Sequence, residues 1–219
     1  MNTNQVRYYA ERAPEYEKSY NRTERKEDVD QLSQWVIDTF QEKTVLEIAC
    51  GTGYWTHLLS KHAKQVLATD INKEMLDVAK EKEFSNNVEF KIADIHDLSN
   101  ISTNMESGFA GFILSHILIE DLPSFMTKFL SKIENGGPVV FIDDLYIEGV
   151  SSAVHSSDEK GNEFQTRTLE NGSVHLIIKN YPTDEQVHKL LDPIATDIEI
   201  IKLKYFWMLR FSNNLNHEE

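Results

Sequence analysis

Val45-Leu46-Glu47-Ile48-Ala49-Cys50-Gly51-Thr52-Gly53-Tyr54-Trp55 reads as a short buried strand, Thr44 to Ala49, running into a glycine turn and then a helix. Gly51 and Gly53 carry no Cβ, so the chain can turn sharply there and a ligand can touch backbone. The amides beyond them open a helix and offer free N–H donors to an anionic or polar ligand group. Seventeen residues past Gly53, the next apolar run, Val66-Leu67-Ala68-Thr69, ends in Asp70. An acid closing the second strand at this distance is where nucleotide-binding α/β folds grip ribose hydroxyls.

Two cofactor families share that logic. A dinucleotide fingerprint requires a third glycine for close helix packing. Here Thr56 stands at that position, behind the bulky Tyr54 and Trp55. A nicotinamide-dependent oxidoreductase is therefore the less favoured reading. The strand also carries an acid, Glu47, four residues before Gly51. The run Leu46-Glu47-Ile48-Ala49-Cys50-Gly51-Thr52-Gly53 resembles the first motif of class I S-adenosylmethionine-dependent methyltransferases. The resemblance implies that Glu47, Ala49, Gly51, Thr52 and Gly53 hold the cofactor's methionine end and that Asp70 binds its ribose. It also implies that Ile71 and Met75, just past that acid, touch the adenosine.

The bulk properties restrict the partners. The chain has 219 residues and a net charge of −14. Its length suits one domain with a substantial core. Such acidity argues against a nucleic-acid binder, which needs a basic footprint, and equally against an anionic membrane surface. Cys50 is the single cysteine, so no intrachain disulfide is expected. No long apolar run and no signal-like leader stand out, and a cytoplasmic location is expected. His57 and His62 lie five apart rather than four, so no metal site is expected.

The motifs continue in register. Asn72 is expected to cap a helix with Met75, Leu76 and Ala79 on its apolar side. Val88, Phe90 and Ile92 alternate as a third strand that ends at Asp94. By resemblance, Asp94 accepts from the adenine amino group and Ile95 lies against the ring, the alternative being a helix cap. Gly108 to Leu114 fits a buried central strand, ending in Ser115-His116. Strand ends face the ligand crevice in open α/β sheets. Ser115 is then a cofactor contact, and His116 is the best-placed catalytic base, followed by Tyr9, Tyr16 and Asp143. Asp121 is expected to cap the next helix, Gly136 to stop it, and Val139 to Ile142 to form a buried strand.

The alternation breaks after Asp144. Residues 146 to 163 read as a polar loop, followed by a hairpin turned at Asn171-Gly172. Alternation puts His175, Ile177 and Lys179 on one face of its second strand and Val174, Leu176 and Ile178 on the other. The all-apolar face is expected to be the covering one. Thr183 to Gln186 forms a capping box, and two closing strands follow, with a tail that frays from Asn213. Residues 4–20, with Tyr8, Tyr9, Tyr16 and Tyr20, resemble the flap that closes many small-molecule methyltransferases, and Tyr9 and Tyr16 are expected to touch the cofactor.

These observations predict a single domain over 1–219. Its fold is α/β, doubly wound, around a mostly parallel seven-stranded sheet with an antiparallel edge strand. The 4–20 flap and the 146–182 loop and hairpin form a lid. The implied activity is direct methyl transfer from S-adenosyl-L-methionine to a small-molecule acceptor. A protein acceptor and a non-catalytic cofactor-binding module are the alternatives. Arg167 and Lys179, on the lid, would favour an acceptor with an anionic or carbonyl group.

Overall fold

The computed structural model describes residues 3–19, 22–102 and 104–215; Tyr20 of the expected flap lies outside this set. In chain order the elements are α1 (Thr3–Arg12), a 3-10 segment Ala13–Ser19, α2 (Lys26–Phe40), β1 (Thr44–Ile48), α3 (Tyr54–Leu59) and β2 (Gln65–Asp70). Then come α4 (Lys73–Lys80), β3 (Val88–Ile92), β4 (Ser107–Gly111), α5 (Leu122–Leu130) and β5 (Pro138–Asp144). The inserted part holds β6 (Ser156–Ser157), β7 (Glu163–Thr168) and β8 (Val174–Ile178). The chain closes with α6 (Asp184–Leu191), β9 (Ala195–Lys202) and β10 (Phe206–Asn213).

Seven strands form one sheet in the order β3-β2-β1-β4-β5-β10-β9. The first five are parallel, and β10 runs antiparallel to both neighbours. The antiparallel strand is thus second from the edge, and β9 is the outermost. Alternate strand residues feed two cores, as a sheet covered on both faces requires. Leu46, Ala110, Val139 and Phe141 pack with Phe125 and Phe129 of α5 on one side. Val45, Val66, Phe109 and Val140 pack with Val36 and Phe40 of α2 and Trp55 of α3 on the other. Gly108 lets α5 come close, because a Cβ there would stand 2.7 Å from Phe129 Cζ.

Local chemistry decides where the elements end. Thr183 and Gln186 form the expected capping box at the start of α6. Gly136 and Gly172 take the left-handed backbone at their turns. Asp121 does not cap α5 through its side chain. A 3-10 turn, Ile119–Asp121, leads into that helix, and the Asp121 and Leu122 amides already bond the Leu118 carbonyl. Nor does Asn72 cap α4; its own amide is held by Asp70, at 2.8 Å. No helix follows Asp94, whose carboxylate instead accepts from the His96 amide in a tight turn. Asn213 is buried rather than frayed. Its side-chain amide donates to the carbonyls of Leu130 and Ile133, at and just past the end of α5.

The insertion forms a separate three-stranded antiparallel sheet, β6-β7-β8, packed against α1. Which face of β8 it covers reverses the expectation. Val174 is 64% exposed and Leu176 38%, whereas His175, Ile177 and Lys179 are buried. The polar pair is tolerated inside because each side chain meets a carboxylate, Glu11 for His175 and Asp143 with Asp144 for Lys179.

Candidate functional site

The glycine loop sits at the carboxyl ends of β1 and β2. Gly51 and Gly53 have φ of 57° and 78°, and Ala49 shares the left-handed region at 51°. A residue with a Cβ is strained there, and such strain concentrates at functional sites. A second such residue, Phe112 at φ 60°, ends β4 on the opposite side of the same cleft. The loop is pinned by Asp70, whose two carboxylate oxygens accept from the amides of Gly51 (2.9 Å) and Asn72 (2.8 Å). Burial nevertheless pushes the Asp70 carboxyl up to about 6. Glu47 beneath the loop is pushed by burial to about 8. Its Oε2, with Thr56 Oγ1 and Trp55 Nε1, has no hydrogen-bond partner among the described residues.

Two cavities meet at this point. The smaller, about 40 Å³, is lined by backbone and apolar groups of the loop and strand ends. Of the expected cofactor residues, Ala49, Gly51, Asp70, Ile71, Met75 and Ile95 all border it. Tyr9 and Tyr16 border it from above. Tyr16 stands over Gly51, with its Cε1 3.7 Å from where a Cβ would lie, and narrows the space. Glu47, Thr52, Gly53, Asp94 and Ser115 are not in its wall. Thr52 instead donates to Glu17 of the N-terminal segment at 2.8 Å, and Glu17 also pairs with Lys82. Phe112, Gly111 and Ile113 also line it without having been singled out as site residues from sequence, and Asn72 was expected there only as a helix cap. The glycine at 111 was the visible signal, since a Cβ there would press on Trp55 at 3.0 Å.

The larger cavity, about 440 Å³, lies across a partition formed by Tyr9, Tyr16 and Phe112, which border both spaces. Its far walls come from β7, β8 and the loop after β5. His116 borders it, but from a 3-10 turn (Leu114–His116) rather than a strand end. The His116 Nδ1 lies 2.6 Å from the Ile178 carbonyl, which can only accept. Nδ1 therefore carries the proton, and Nε2 is left to accept from the Tyr9 hydroxyl at 2.7 Å. Burial first, and then the Lys179 charge, hold His116 well below the ordinary imidazole range, so it is neutral. Burial raises the Tyr9 phenol, so it stays protonated and donates. Gln5 of α1, fully buried, donates to the His116 carbonyl and accepts from the Ile178 amide, at 3.0 and 3.3 Å.

Ser115 and Lys179 belong to a different constellation. The Ser115 amide and hydroxyl both donate to Asp143, at 2.9 Å each. Lys179 Nζ donates to Ser115 Oγ (2.8 Å), Asp143 (3.0 Å) and Asp144 (2.8 Å). All three ammonium donors are thereby engaged. Burial would lower the Lys179 ammonium, but the two carboxylates outweigh it and raise it. This cluster ties β5, the 3-10 turn and β8 together beneath the cavity. Arg167 borders the cavity with its guanidinium on Gln165, at 2.6 Å.

The comparisons with known proteins follow this geometry. Residues 45–137 match the family described as "Methyltransferase domain". The malonyl-[acyl-carrier protein] O-methyltransferase of Serratia marcescens is 26% identical over 97 residues, covering 44% of this chain and 36% of that protein. A tRNA/tmRNA (uracil-C(5))-methyltransferase of Campylobacter lari is 27% identical over 133 residues, covering 48% and 36%. The chain thus spans about a third of the length of these curated relatives. In the solved structures, the DhpI–SAH complex superposes with a TM-score of 0.75 at 24% identity, covering 96% of each chain. The fold is that of the class I S-adenosylmethionine-dependent methyltransferases. Residues 45–137, from β1 to the turn before β5, are the part that matches the methyltransferase family model.

Proposed function

We propose that the chain is an S-adenosylmethionine-dependent methyltransferase acting on a small-molecule acceptor. The observation that carries this reading is the pair of cavities separated only by Tyr9, Tyr16 and Phe112, one over the glycine loop and one large enough for a metabolite. The residues present suit the cofactor. Asp70 keeps lone pairs for ribose hydroxyls beyond the two amides it holds, and Ile71, Met75 and Ile95 offer an apolar slot for a base. Glu47, buried beneath the loop and pushed up to about 8, stays protonated at neutral pH and supplies no charge to a ligand. The 40 Å³ space requires the Tyr16 side chain to leave its place over Gly51 when a nucleoside enters, with Tyr9 kept on His116.

When bound, S-adenosylmethionine supplies a methyl group on a cationic sulfur, an electrophile needing mainly alignment and exclusion of water. This chain supplies the alignment through the partition and a proton path through two side chains. An acceptor hydroxyl or amine at the partition donates to Tyr9 Oη. Tyr9 passes its own proton to His116 Nε2, the one ring atom left free to take it. His116 is thus the base, reached through Tyr9. The net charge of −14 favours a small acceptor over RNA, although one relative acts on tRNA.

The test is calorimetric titration with S-adenosylmethionine and, separately, NADH, followed by transfer of a labelled methyl group to a metabolite panel. Binding of the first alone, with turnover on a small molecule and no gel-shift retention of tRNA, is the expected outcome. NADH binding, or turnover on RNA only, overturns the proposal.

A further inference from the structure

Five cationic side chains stand in the wall of the large cavity, Arg12, Arg22, Arg25, Arg167 and Lys179, against three carboxylates, Glu15, Asp144 and Glu170. In a chain of net charge −14 this excess is local and needs a reason. Lys179 and Arg25 both pair with Asp144, so neither is available to a ligand. Arg167 and Arg12 differ. Arg167 donates to Gln165 Oε1, a neutral acceptor that is itself fully buried and anchored to the Ser152 carbonyl. That contact orients the guanidinium without neutralising it. Arg12 lies over the rings of Tyr8 (5.6 Å) and Tyr16 (5.0 Å). Neither arginine has a carboxylate within ion-pair distance among the described residues.

We infer that Arg12 and Arg167 together bind an oxyanion on the acceptor, a carboxylate or a phosphoryl group, in the cavity beside Tyr9. The inference rests on the methyltransferase reading above for the word acceptor, but the anion site itself does not. A guanidinium half removed from water without a counter-charge is costly, and an incoming oxyanion relieves two at once. Arginine forks fit carboxylate and phosphoryl oxygens with paired hydrogen bonds, which a lysine does not. Arg12, Arg167 and Tyr9 stand in the wall of the same cavity, so an anion held by the two arginines shares that space with the Tyr9 hydroxyl. An oxyanion held there sets the distance from the acceptor's anionic end to the partition. Sequence pointed to Arg167 with Lys179; the Lys179 donors are taken by Ser115, Asp143 and Asp144, and the inference puts Arg12 in its place.

The experiment titrates the whole chain with inorganic phosphate, succinate and the neutral succinamide, with and without S-adenosylhomocysteine. At least one of the two anions binds and succinamide does not. Arg12→Ala and Arg167→Ala each weaken anion binding at least tenfold, while the cofactor affinity stays within about twofold. Arg12→Lys and Arg167→Lys, which keep the charge and the fold, still lose part of it. Preference for phosphate assigns a phosphoryl acceptor and preference for succinate a carboxylate; either supports the inference. Succinamide binding as tightly as succinate, no anion binding at all, or unchanged anion affinity in folded Arg12→Ala and Arg167→Ala variants overturns it. Anion binding without any S-adenosylmethionine binding supports the site and removes the methyltransferase reading instead.

Discussion

On the glycine-loop side of the Tyr9–Phe112 partition, the groups that face a ligand are main chain and strand ends. Ala49, Gly51 and Phe112 hold left-handed backbone, and Asp70 locks the loop through two amides. On the other side the walls are side chains carried by α1 and the β7–β8 hairpin, and they are set by contacts between distant segments. Gln5 reaches residues 116 and 178, and Lys179 reaches 115, 143 and 144. A backbone-built site suits one invariant ligand. A site built from side chains on an insertion can change its acceptor without disturbing the first.

The comparison predicts separable losses. The largest is expected for Asp70→Ala. Two charge-assisted bonds to ribose hydroxyls, each about 1.5–3 kcal/mol, imply at least about a hundredfold weaker S-adenosylmethionine binding by calorimetry. Because Asp70 also holds the Gly51 and Asn72 amides, the melting temperature of the free protein falls as well. Unchanged affinity would remove Asp70 from the cofactor site. Next come Tyr9→Phe and His116→Ala, each expected to lower kcat about a hundredfold or more. The double variant should be no worse than the worse single, since the two act as one path. Additive losses would break the relay into two independent roles.

A smaller effect is expected with pH. Asp70 accepts ribose hydroxyls best when ionised, and burial places its carboxyl near 6. Cofactor affinity should be level above about pH 7 and fall severalfold as pH drops through 6. The rate at saturating cofactor should not follow it, because His116 stays neutral across that window. A cofactor affinity flat down to pH 5 would place the shift elsewhere. The smallest effect is expected on the outer face of β8. Val174→Ser and Leu176→Ser, both exposed, should change stability by less than about 0.5 kcal/mol. Ile177→Ala on the inner face should cost about 2 kcal/mol or more by denaturant titration.

The glycine-loop half was legible because its determinants are local: a strand, two glycines and an acid at fixed spacing. The sheet followed from the same alternation of apolar runs. The acceptor half was not legible to the same depth. Period-2 alternation gives the two faces of β8 but not which one is inside, and the apolar trio misled because its outer members, Val174 and Leu176, lie on the solvent side of a thin sheet. Ser115 was read at a strand end, yet β4 stops at Gly111 and a 3-10 turn aims the hydroxyl at Asp143. Arg12 lay in a stretch already singled out for its aromatics, but its role depends on Arg167, more than 150 residues away.

Gln5 has one more implication. Its carboxamide stands in for a peptide unit between the His116 carbonyl and the Ile178 amide, on the same helix that carries Tyr9. Any movement of α1 that admits a ligand therefore takes the phenol away from the imidazole and unplugs the joint that sets the ring's neighbours. Opening and chemical competence become mutually exclusive in time. In the proposed mechanism an open molecule would lack the Tyr9–His116 path, and closing α1 would restore it.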